Sequence, residues 1–81
     1  MKPLVTLYTR TGCHLCDQAK AVLADARRQT DFQYEEFDID ADPELRRMYN
    51  EEVPVVAINR TPVFRYAVDL GELLRRLVVN H

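Results

Sequence analysis

The only two cysteines of the chain stand two residues apart, in Cys13-His14-Leu15-Cys16. A thiolate attacks disulfides, and a second thiol within bridging reach can complete a two-electron exchange. The tetrapeptide follows an apolar run, Leu4 to Tyr8, and opens a helical pattern, Asp17 to Arg28. A helix N-terminus carries unpaired N–H groups and partial positive charge, so an anion is favoured at Cys13. Cys16, one turn further in, falls on the apolar side of that helix and is expected to be more buried. Helical residues three apart have Cβ atoms about 5–6 Å apart, close enough to bridge after small adjustment. Cys13 is therefore the candidate nucleophile and Cys16 the resolving cysteine. The bland alternative is two small buried hydrophobes. It fits poorly with Cys13 at an exposed helix start.

His14 carries more than one reading. Protonated, it would tune Cys13 by stabilising the thiolate. Exposed and unengaged, it would do nothing. As metal ligands, Cys13, His14 and Cys16 cannot converge on one ion from a regular helix, because successive side chains diverge by about 100°. With no second cysteine pair, no structural metal is expected in the monomer. A cluster bridging two chains through Cys13 stays open. Asp17 in the first turn suits the helix dipole and slightly opposes a Cys13 anion. Lys20, two turns along, is too far away to matter. Tyr8 reads equally as core or as cleft lining.

The elements that must position these residues are legible from periodicity. Leu4-Val5-Thr6-Leu7-Tyr8 has the composition of a buried strand, and Thr9 to Gly12 form a loop. Cys16, Ala19, Leu23 and Ala26 share one helical face with Val22 beside them, and this helix ends near Arg27 to Thr30. Phe32 to Ile39 reads as a second strand with faulty alternation, which a bulge near Glu35-Glu36 or an edge position would explain. Acidic residues also suit an edge. Asp42-Pro43-Glu44 is a helix start, with a capping carboxylate and proline in the first turn. Leu45, Met48 and Tyr49 form its apolar stripe, and Val53-Pro54 stops it. Val55 to Ile58 is a third strand, Asn59-Arg60-Thr61 a tight turn, and Val63 to Tyr66 a fourth strand. Asp69 and Glu72 have capping-box spacing. They introduce a helix whose core face is Leu70, Leu73, Leu74, Leu77 and Val78.

The order βαβαββα predicts an α/β fold over residues 1–81 as a single domain. A parallel crossover joins the first two strands and a hairpin the last two, giving a four-stranded mixed sheet with helices on both faces. The 81 residues can bury one modest core. The net charge of −2 shows no basic face of the kind nucleic acid requires. No run approaches the ~18 apolar residues of a membrane span. The N-terminal apolar run is short and broken by Thr6, Thr9 and Arg10, so a signal peptide is not expected. A cytoplasmic protein follows as the expectation, and there a lone cysteine pair is catalytic more often than structural.

The segment Leu7-Tyr8-Thr9-Arg10-Thr11-Gly12-Cys13-His14-Leu15-Cys16-Asp17-Gln18-Ala19-Lys20 resembles the active-site segment of glutaredoxins, and Val53-Pro54-Val55 resembles their cis-proline segment. With the element order, the whole chain resembles the thioredoxin fold in its smallest, glutaredoxin-like form. The Cys-His-Leu-Cys-Asp-Gln variant is similar to a group of short bacterial glutaredoxin-like proteins. Two departures stand out. The middle pair is His-Leu where dithiol glutaredoxins have Pro-Tyr. Tyr66-Ala67-Val68-Asp69 also stands where they have a Gly-Gly-x-Asp-like turn that holds glutathione.

The resemblance implies a dithiol thiol–disulfide oxidoreductase acting in electron transport on protein or low-molecular-weight disulfides. Its reductant would be glutathione or a thioredoxin-reductase-type donor. No bound cofactor is implied beyond the redox-active Cys13–Cys16 pair, and a monomer is expected. Arg10 stands where many glutaredoxins have a lysine near the thiolate, so it would tune Cys13 or hold a substrate carboxylate. A solvated loop arginine is the competing reading. Pro54 would be cis and face Cys13, with the Val53 backbone turned outward to pair with substrate. A trans proline ending the second helix is the alternative. Two other classes of function stay open: a thioredoxin-fold binding module without turnover, and a dimer carrying an iron–sulfur cluster through Cys13.

Overall fold

The computed structural model describes residues 2–79. The elements are β1 (Leu4–Thr9), α1 (His14–Gln29), β2 (Gln33–Asp38), a short 3-10 turn (Ile39–Ala41), α2 (Pro43–Tyr49), β3 (Val55–Ile58), β4 (Thr61–Arg65) and α3 (Leu70–Val79). The sheet order is β2-β1-β3-β4. β1 and β2 are parallel, while β3 is antiparallel to both β1 and β4. This is the expected α/β thioredoxin architecture.

Alternation along the central strands builds two cores. Val5 and Leu7 of β1, with Val56 and Ile58 of β3, meet Ala19, Leu23 and Ala26 of α1 and Leu73 and Leu77 of α3. Tyr8 and Val55 belong to a second cluster, with Ile39, Leu45, Tyr49, Val53 and Cys16. Side chains alternate across a strand, so α1 and α3 cover one face of the sheet and α2 the other.

Local chemistry sets the ends of these elements. The Asp42 carboxylate accepts the Glu44 N–H at 2.9 Å, with Pro43 in the first turn of α2. Asp69 accepts the Glu72 N–H at 3.1 Å at the start of α3. Each such cap stabilises its helix by about 1 kcal/mol. The β3–β4 hairpin turns on two residues, Asn59 and Arg60, both in the left-handed region (φ 50° and 72°). That geometry matches the twist of the flanking strands. Asn59 also fastens β1, accepting the Leu4 N–H through Oδ1 at 3.0 Å and donating its own N–H to the Leu4 carbonyl at 2.8 Å.

Three local expectations change. β2 carries no bulge: it pairs with β1 residue for residue from Leu4↔Gln33 to Thr9↔Asp38. Its faulty alternation arises because Phe32 and Ile39, both buried, lie outside the strand, while Phe37 within it is 41% exposed. β2 is an edge strand, and the sheet's irregularity lies instead between β3 and β4, at Val56/Ala57. β4 starts at Thr61, ahead of Val63, because the hairpin loop is only two residues long. Val78 and Met48, expected on apolar helix faces, are 59% and 56% exposed. Each lies near the end of its helix, where the packed surface runs out. Among the described residues, no helix is long and apolar enough to cross a membrane.

Candidate active site

Cys13 is the N-cap of α1, with extended backbone (φ −93°, ψ 113°), and its sulfur accepts the Cys16 N–H at 3.1 Å. The Asp17 N–H meets the Cys13 carbonyl at 3.1 Å, closing the first turn. The sulfur thus does what a serine or aspartate oxygen does at other N-caps. Cys13 is half-buried and Cys16 fully buried, both as free thiols. Burial, and then the hydrogen bond with Cys13, push the Cys16 thiol above its ordinary range, while Thr9 and the Arg10 backbone pull the other way.

Cys16 also marks a division within α1. Ala19, Leu23 and Ala26 pack into the α3-side core, whereas Cys16 joins the α2-side cluster with Ile39, Tyr49, Val53 and Val55, and Cys13 packs against that cluster. Tyr8 is also there, 4.7 Å from Tyr49 and 5.9 Å from Phe37 between ring centroids. Burial, reinforced by Tyr49, pushes the Tyr8 phenol upward. Tyr8 therefore belongs to the packing beneath the thiols.

The Val53–Pro54 peptide bond is cis. The Pro54 ring is fully buried and Val53 is only 9% exposed, so the backbone is what this corner offers to a ligand. The Pro54 carbonyl accepts the Tyr66 N–H at 2.9 Å. Among the described residues, no backbone hydrogen bond engages the Val53 N–H or C=O. Tyr66, half exposed, adopts φ 70°, in the segment where glycines were missing from the sequence pattern.

Arg10 is committed elsewhere than the thiol. Its guanidinium makes two 2.9 Å bonds to the Asp40 carboxylate and reaches the Asn50 carbonyl at 2.8 Å and side chain at 2.9 Å. Asp40 is correspondingly held below the usual carboxylate range, chiefly by that hydrogen bonding. Arg10 thus ties the loop before Cys13 to the turn after β2 and to the end of α2, with Cys13 only a minor influence on it. His14 is exposed as the first residue of α1, beside Cys13. Lys20 pairs with Glu36 at 3.6 Å. That pair lies in a cavity of about 220 Å³ between α1 and β2, lined also by Leu23, Ala24, Arg27 and Tyr34, and none of these residues belongs to the thiol site.

The structure therefore gathers Cys13, Cys16 and Val53 at one corner, leaves His14 at its edge and turns Arg10 to scaffolding. Sequence reasoning passed over two groups. Asp40 and Asn50 carried no signal, because their link to Arg10 spans 30 and 40 residues. Thr9, assigned to a loop, is the last residue of β1 and 5% exposed. Its parity with Val5 and Leu7 places it on the α1 side. Among the described residues, no group of three or more His, Cys, Asp or Glu is arranged to hold a metal ion.

The model of the glutaredoxin-like domain family (DUF836) matches residues 4–78. No curated protein matches the sequence. Among solved structures, the structural-genomics target protein XcR50 from X. campestris is 36% identical, covers 93% of this chain and 96% of its own, and superposes with a TM-score of 0.74. Protein Ne2328 from Nitrosomonas europaea is 29% identical, with 95% and 93% covered and a TM-score of 0.81. Mitochondrial thioredoxin 3 from Saccharomyces cerevisiae, at 14% identity, 96% and 78% covered and a TM-score of 0.73, shows the shared fold alone. A thioredoxin-like fold carrying a Cys13–Cys16 pair points to a redox function.

Proposed function

The chain belongs to the glutaredoxin-like domain family, and from that footing we propose that it is a dithiol thiol–disulfide oxidoreductase. The observation that carries the reading is the asymmetry of the two sulfurs. Cys13 is accessible and receives an N–H at the helix start; Cys16 is fully buried one turn away with its thiol held protonated.

The Cys13 thiolate attacks one sulfur of a substrate disulfide, and that S–S bond breaks. One substrate thiolate leaves and takes a proton from solvent, while the other stays in a mixed disulfide with Cys13. Cys16 then loses its proton and attacks the Cys13 sulfur. The Cys13–Cys16 bridge forms and the second thiolate departs, protonated in turn. Two electrons have passed from the protein dithiol to the substrate. The open N–H and C=O of Val53 pair with the substrate chain beside its disulfide, as an added strand would. A thiol donor, glutathione or a thioredoxin-reductase-type system, returns the bridge to the dithiol. Protein and low-molecular-weight disulfides are the substrate class, and the reaction belongs to the reducing cytoplasm.

Turnover of a model disulfide with each donor tests the reading, alongside Cys16→Ser. The variant is expected to accumulate mixed disulfide on Cys13, seen as added mass. A wild-type protein that neither turns over the disulfide nor bridges Cys13 to Cys16 overturns the assignment.

A further inference from the structure

Cys16 must become an anion to resolve the mixed disulfide, yet its surroundings resist charge. Ile39, Tyr49, Val53 and Val55 pack about it and it has no exposed surface. A buried thiolate needs hydrogen-bond donors in place of the water it has lost. Thr9 ends β1 on the α1 side of the sheet, 5% exposed. Its Oγ1 is buried and makes no hydrogen bond of ordinary geometry in the dithiol protein. Buried hydroxyls without partners are uncommon, because each forfeits its hydration. This one is within hydrogen-bonding reach of Cys16, where it and the Arg10 backbone are the groups that favour the thiolate. A thiol sulfur is a weak acceptor and a thiolate a strong one.

We infer that the Thr9 hydroxyl is a donor held in reserve for the Cys16 thiolate, idle in the dithiol and engaged during the resolving step. It neither gains nor loses a proton. When Cys16 ionises, the Thr9 O–H turns onto its sulfur. When Cys16 attacks the Cys13 sulfur, the charge passes to the departing substrate thiolate, which is protonated by solvent, and the Thr9 bond relaxes. Thr9 therefore acts on the second exchange and leaves the first untouched.

This inference rests on the dithiol reading, and one assay separates the two. Reduced protein mixed once with the chromogenic disulfide dithiobis-nitrobenzoate releases one coloured thiolate when Cys13 is captured and a second when Cys16 resolves. Thr9→Val keeps the shape and removes the hydroxyl. It is expected to leave the first phase unchanged and to slow the second about tenfold or more, the weight of one hydrogen bond to a charged group. Thr9→Ser is expected to restore the second phase, which a merely structural role would not do. The thermal midpoint of Thr9→Val is expected to stay level or rise, since an unpaired buried hydroxyl is gone. A second phase at the wild-type rate in Thr9→Val overturns the role of Thr9 alone, as does a slow phase that Thr9→Ser fails to restore. A wild-type protein without a second phase overturns the dithiol reading itself.

Discussion

On one face of the sheet, α1 and α3 lay an aliphatic layer over Val5, Leu7, Val56 and Ile58. On the other face only the seven-residue α2 packs down, and the cluster beneath it mixes Tyr8, Tyr49 and Ile39 with the sulfur of Cys16. The first face holds the domain together; the second holds the chemistry. A single helix serves both, since Ala19, Leu23 and Ala26 face the aliphatic layer while Cys16, at its start, faces the other cluster. The thiol pair belongs to the second cluster, and the half-buried Cys13 lies outside the main core.

Substitutions on the two faces should therefore separate activity from stability. The largest expected effect is on the second face: Cys13→Ser lowers disulfide turnover to the uncatalysed background while the thermal midpoint stays within a few degrees. On the first face, Leu23→Ala is expected to cost about 2–5 kcal/mol in denaturant titration, with the rate of Cys13 alkylation in the folded protein unchanged. An altered alkylation rate would break the division of labour. Tyr49→Leu, which removes the ring packed on Tyr8, is expected to cost about 1 kcal/mol and, unlike Leu23→Ala, to change the rate of the Cys16 step in single turnover.

Two smaller effects appear in the pH dependence. Burial raises the Cys16 thiol in the folded protein. Its stabilising contribution is then fully present below the unfolded value, about 8.5, and declines as pH rises from there through the folded value. Alkaline titration of stability should show this slope in the reduced protein, and Cys16→Ala should flatten it. The smallest effect is at Arg10 and Asp40. The depressed Asp40 carboxyl contributes above the ordinary carboxylate value, about 4, and that contribution is lost as pH falls through its folded value. Both groups are solvated, so the difference in midpoint between wild type and Asp40→Asn should be small at neutral pH and vanish in acid.

How far the site could be read in advance depended on sequence distance. Cys13 and Cys16 sit three apart on one helix, and the helical repeat alone puts the first at the cap and the second on the inner face. Asp42, Asp69 and Asn59 were legible for the same reason, because caps and turns act within a few residues. Arg10 was legible as a charge near Cys13 but not as a tether, since Asp40 and Asn50 reach it only once the chain has folded. The faulty alternation of Phe32 to Ile39 was visible, but its cause was not: both terminal apolar residues lie beyond the strand.

The sequence by itself determined the element order, the helix caps and the identity of the sulfur pair, because these follow from the period of the backbone and from interactions within one turn. Only the tertiary structure decided that Cys16 leaves the aliphatic core of its own helix for the α2-side cluster, that Arg10 is drawn off to Asp40, and that the buried Thr9 hydroxyl is left without a partner. Those outcomes depend on which distant surfaces meet, and burial sets the worth of a charge or a hydrogen bond only after they have met.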